Sequence, residues 1–73
     1  MEQLHYKKWI KIGLNVAYYR KEKSLTQLEL AELCDVSRNH IQRIESGYAA
    51  SLDVFMTIAE KLEIELYKLF EFR

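Results

Sequence analysis

The chain has 73 residues, about half of them apolar and none of them proline, and its eleven basic residues are balanced by eleven acidic ones. That length holds one small domain, residues 1–73, near the lower size limit for independent folding, and the composition suits a compact helical fold more than a disordered tail. Cys34 is the only cysteine, which excludes an internal disulfide and, with no histidine cluster, a structural zinc site.

The opening segment MEQLHYKKWIKIG has no long apolar run, so neither a signal peptide nor a membrane span is expected, and the location expected is cytoplasmic. Period-two alternation and Asn-Gly or Asp-Gly hairpin turns are missing, which leaves an all-α fold as the expectation.

The first helix is predicted over residues 6–23, with Trp9, Ile12, Val16 and Tyr19 recurring on one face. Leu14 and Tyr18 make a second, smaller apolar pair. Gly13 interrupts the pattern and costs about 1 kcal/mol relative to alanine unless close packing requires it.

A second helix opens at Thr26, where Thr26-x-x-Glu29 forms a capping box. Leu30, Leu33 and Cys34 are expected on its inner face, with Ala31 beside them to admit another helix. Leu28 falls on the outer side. Asp35 stands where the chain needs a residue that tolerates positive φ.

Ser37 caps a third helix over about residues 38–45. At about 100° per residue, Ile41 and Ile44 mark its buried side, Asn39, Gln42, Arg43 and Ser46 lie away from it, and Arg38 sits on the flank at the first turn. Glu45 is turned toward the Ile41 side, so its carboxylate needs a partner. Gly47 supplies the left-handed stop.

Ser51 caps a fourth helix whose inner stripe is read as Leu52, Phe55, Ile58, Ala59 and Leu62. Residues 65–72 are predicted to form a last short helix with Leu66, Leu69 and Phe70 inward. Tyr67, Phe72 and Leu14 are then apolar groups with no place in so small a core.

Charge is unevenly distributed along the chain. Residues 1–25 carry a net +4, whereas residues 26–50 and residues 51–73 each carry −2. A basic front and an acidic back would reconcile overall neutrality with phosphate binding.

Arginine can donate two hydrogen bonds to guanine O6 and N7, and asparagine or glutamine can pair with adenine N6 and N7. Arg38, Asn39, Gln42 and Arg43 provide those groups on one side of the third helix; a solvated polar face is the alternative. Gln27, in the first turn of the second helix, has an amide suited to a phosphate, or is an exposed filler. Tyr48 is either a phosphate donor or a surface packing group. Lys7, Lys8 and Lys11 add long-range attraction or simply a solvated face. His5 and His40 are isolated, and no nucleophile pattern or glycine-rich phosphate loop is present. No enzyme, cofactor or small-molecule ligand is expected.

From Ile12 to Phe70 the sequence resembles the phage repressor and Cro-like (XRE-type) helix-turn-helix family. The resemblance is carried by Arg20, Leu25-Thr26-Gln27, Leu30-Ala31, Val36-Ser37, Ile41, Ile44-Glu45, Gly47, Leu52, Ile58-Ala59, Leu62, Leu66 and Leu69-Phe70. It implies a compact five-helix bundle, like the lambda-repressor domain, with helices two and three as the helix-turn-helix. It also implies base contacts at Arg38, Asn39 and Arg43, with Gln42 a lesser candidate, a phosphate contact at Gln27, and an ion pair between Arg20 and Glu45. Arg20 is then a brace and a second phosphate candidate.

Ala17 departs from the arginine common in the family, Asp35 and Glu63 stand in place of glycines, and the Tyr48-Ala49-Ala50 loop lacks basic residues. The function implied is a sequence-specific regulator, a repressor, binding double-stranded DNA at a two-fold operator as a homodimer. An antitoxin-like or protein-interaction module on the same fold is the alternative.

Overall fold

The computed structural model describes residues 4–72, so Glu2 and Arg73 of the charge count lie outside the described residues. Four α-helices follow one another: α1 (Tyr6–Glu22), α2 (Gln27–Cys34), α3 (Arg38–Glu45) and α4 (Leu52–Leu62). A 3-10 turn at Leu66–Phe70 closes the chain, and no strand occurs among the described residues.

Three helix starts are set by side chains at the expected positions. Thr26 Oγ1 accepts from the Glu29 N–H at 3.0 Å while Glu29 Oε1 accepts from the Thr26 N–H at 2.8 Å. Ser37 and Ser51 accept from the N–H groups of His40 and Val54. Each satisfies an amide that the helix itself cannot pair, worth about 1 kcal/mol per cap. Asp35 and Glu63 end α2 and α4 in the left-handed region, at φ 57° and 59°.

The core gathers Ile12 and Val16 of α1, Leu30, Ala31 and Cys34 of α2, Ile41 and Ile44 of α3, Phe55, Ile58, Ala59 and Leu62 of α4, and Leu69. Trp9 stacks on Phe55 with centroids 6.1 Å apart, and Phe70 meets the same ring edge-on at 5.6 Å. This aromatic row ties α1, α4 and the 3-10 turn together.

At Gly13 the backbones of α1 and α3 approach closely. A Cβ there would lie 2.4 Å from the Ile44 carbonyl oxygen and 2.8 Å from that of Glu45. Close packing therefore explains a glycine in mid-helix.

Two expected core residues are displaced. Leu33 is 47% exposed because the buried arc of α2 runs through Leu30, Cys34 and Ala31, about 100° away from it. Leu52 is 53% exposed: as the first residue of α4 it leans toward the N-terminus, past the end of the core.

The last element is a 3-10 turn followed by extended backbone at Glu71, shorter than the helix expected over 65–72. The Asn15 amide donates to the carbonyls of Leu69 and Glu71, at 3.0 and 2.8 Å. That clamp fixes the carbonyls sideways onto α1, where a continuing α-helix would point them along its own axis.

Candidate nucleic-acid interface

The turn between α2 and α3 is short and fully specified. The Asp35 N–H donates to the Glu32 carbonyl and the Val36 N–H to the Ala31 carbonyl, and Ser37 then starts α3. Ala31, buried at the junction, lets α3 cross closely over α2.

Ile41 and Ile44 anchor α3 in the core, which turns Arg38, Asn39, Gln42, Arg43 and Ser46 to solvent. Glu45 is the only carboxylate in α3. Its side chain is 7% exposed and is held by Arg20: Nε donates to Oε2 at 2.7 Å and Nη2 to Oε1 at 3.0 Å. Arg20 Nη1 donates to the Leu25 carbonyl at 2.7 Å. The single negative charge of the helix is thus folded inward and neutralised, and the outward face keeps two guanidinium groups.

Gln27, half-buried at the start of α2, donates from Nε2 to Glu45 Oε1 at 3.0 Å. Its amide is oriented by the same carboxylate that binds Arg20, and the second N–H of that nitrogen remains to be used. Arg20, buried and committed to Glu45 and Leu25, acts as a brace in this arrangement. The Gln27 contact was not legible beforehand, because it joins first-turn and last-turn residues of different helices.

Tyr48 is exposed in the loop after α3, and its ring lies beneath Arg43, with the guanidinium carbon 4.3 Å from the ring centroid. Arg38, Asn39, Gln42 and Arg43 thus share one surface with Tyr48, and Gln27 is linked to it through Glu45.

Lys7, Lys8 and Lys11 stand on the side of α1 turned away from α3. Gly13 points at α3, and at about 100° per residue Lys7, Lys8 and Lys11 lie about 120° or more around the helix from it. The acidic residues Asp53, Glu60, Glu63, Glu65 and Glu71 are all exposed on α4 and beyond. Glu63 accepts from Lys23 Nζ, and that hydrogen bond, with the attraction of the ammonium charge, holds its carboxyl below the ordinary value.

No group of three His, Cys, Asp or Glu side chains that could hold a metal occurs among the described residues. No described helix is long and apolar enough to cross a membrane. Cys34 is a free, buried thiol, and desolvation pushes its pKa up.

The helix-turn-helix family model (HTH_3) matches residues 16–69, from the middle of α1 into the 3-10 turn. The chain belongs to the helix-turn-helix family. Within it the chain is of the XRE, or Cro/C1-like, type.

The restriction-modification controller protein C.AhdI from Aeromonas hydrophila superposes with a TM-score of 0.88 at 32% identity, covering 93% of this chain and all of that one. SinR, the master regulator for biofilm formation, solved in complex with DNA, gives 0.78 at 27% identity over 82% of this chain and 98% of its own. Antitoxin PezA of Streptococcus pneumoniae is 37% identical over 54 residues, 73% of this chain. The chain spans about a third of that antitoxin's length, the matched part being 34% of it.

Proposed function

We propose that residues 1–73 act as one domain, a cytoplasmic transcriptional repressor that binds a two-fold DNA operator as a homodimer. Helix α3 lies in the major groove, where Arg38, Asn39, Gln42 and Arg43 meet base edges. Gln27 donates its remaining amide N–H to a backbone phosphate, and the Tyr48 hydroxyl does the same from the following loop. Arg20 works mainly through Glu45, which in turn orients Gln27. No step of this reading involves catalysis.

The observation that carries the proposal is the outward face of α3: two arginines, an asparagine and a glutamine, with the one carboxylate of the helix buried against Arg20. A merely solvated face would have no reason to hide its acid. SinR, solved with DNA bound, supports the same reading.

Exposed apolar side chains support dimerisation. Tyr67 is 58% and Phe72 44% exposed at the end of the chain, and Leu14 is 60% exposed on α1. A single small module buries little area on DNA and reads few bases, so a second copy that covers apolar surface also supplies the second half-site.

Two variants test the assignment against a panel of duplex sites. Arg43→Ala should cost about 1–3 kcal/mol and flatten preference at one position, while Gln27→Ala should weaken all sites alike. Unchanged affinity and preference in Arg43→Ala would remove that residue from the reading surface. Analytical ultracentrifugation at micromolar concentration tests the dimer, and a strict monomer that binds single half-sites would end that claim.

A second reading is favoured by the 37% identity to an antitoxin. There the fold serves chiefly to hold another protein. DNA binding that ignores both sequence and salt would point to it.

A further inference from the structure

Tyr48 occupies its place for reasons that begin in the core. Gly47 has φ 100°, and a Cβ there would come within 2.8 Å of Ile10 Cγ1, so α1 dictates how the chain leaves α3. The Tyr48 N–H then donates to the Arg43 carbonyl at 3.0 Å, folding the loop back over the last turn of α3. The ring is thereby set under the guanidinium of the same residue, 4.3 Å from its centroid.

An aromatic face attracts a cation placed over it, and a stacked guanidinium keeps its in-plane N–H groups free at the edge. An unsupported arginine samples many rotamers and reaches phosphates as readily as bases. One that is stacked has a fixed plane, and two parallel N–H groups in a fixed plane match O6 and N7 of guanine.

We infer that Tyr48 is a positioning residue for base selection: its ring holds the Arg43 guanidinium so that Arg43 selects guanine at one position of each half-site. The inference rests on the DNA-reading role of α3 proposed above. It is separate from the phosphate contact of the Tyr48 hydroxyl, because positioning needs only the ring.

The two roles come apart in Tyr48→Phe and Tyr48→Ala. Sites are selected from a random duplex pool with the full chain, its two variants and Arg43→Ala, which marks the position that depends on Arg43. Tyr48→Phe should bind all sites more weakly but keep the wild-type preference for guanine at that position. Tyr48→Ala should lose that preference about two- to fivefold, the range of an exposed cation–π contact, and leave the other positions unaltered.

Circular dichroism of both variants should match wild type, since the ring is exposed. The inference is overturned if Tyr48→Ala keeps the guanine preference, if Tyr48→Phe loses it equally, or if the Arg43-dependent base is not guanine. A wild-type chain that enriches no sequence would overturn the α3 reading itself, and this inference with it.

Discussion

Gly13→Ala is the substitution for which local and tertiary reasoning disagree in sign. In a solvent-facing helix, replacing glycine by alanine stabilises by about 0.8–1.0 kcal/mol. Here the added methyl would sit 2.4 Å from the Ile44 carbonyl oxygen and 2.8 Å from that of Glu45, both backbone atoms. Neither can rotate aside, so α3 has to move off α1 by most of an ångström. Overpacking of this kind costs about 1–3 kcal/mol, and the upper end applies when backbone must shift.

Subtracting the helical gain leaves a net loss of about 1–2 kcal/mol, or a fall in Tm of about 4–16 °C for a domain of this size. Thermal unfolding followed by circular dichroism at 222 nm reads this directly. DNA affinity should fall as well, because the shift separates Arg20 from Glu45 and tilts α3. A variant as stable as wild type, or stabler, would show that α1 and α3 are not in backbone contact at Gly13.

Glu45→Ala should lose about 3–5 kcal/mol in urea unfolding, because Arg20 would be left charged and buried. Arg20→Met combined with Glu45→Leu should recover much of that, and a double variant no better than the single one would contradict the account. Asp35→Gly should gain about 1 kcal/mol by relieving a left-handed φ of 57° at the end of α2, with Tm as the readout and a lower Tm as the refuting result. Glu63 has a folded pKa below the ordinary value of about 4.5, so its pairing with Lys23 stabilises fully above that value and is lost as pH falls through the lowered one. The Tm gap between wild type and Glu63→Gln should therefore be constant near neutrality and close in acid, and a gap that widens in acid would reverse the sign argued here.

The parts of the fold that local chemistry controls were legible. Thr26, Ser37 and Ser51 are caps whatever the tertiary context, and Asp35 interrupts the pattern where a left-handed residue is needed. Ile41 and Ile44 settled which way α3 faces, and the outward positions of Arg38, Asn39, Gln42 and Arg43 follow from that orientation.

Features decided by distant partners were hidden. Leu33 looks like core by spacing, and only the direction from which α3 and α4 approach α2 turns it out. Asn15 gives no signal in sequence that it will clamp carbonyls 54 and 56 residues away. The stacking of Tyr48 on Arg43 depends on how Gly47 packs against Ile10, and no periodicity encodes that contact.

Zero net charge makes the DNA-reading claim the one most open to challenge, since long-range attraction contributes little and the short-range contacts of α3, Gln27 and Tyr48 must supply recognition. Selection of bound duplexes from a random pool, repeated at two salt concentrations, tests it most directly. The expected result is a two-fold symmetric site with half-site centres about 34 Å apart and affinity that falls as salt rises. Recovery of no common sequence, with binding indifferent to salt, would contradict it.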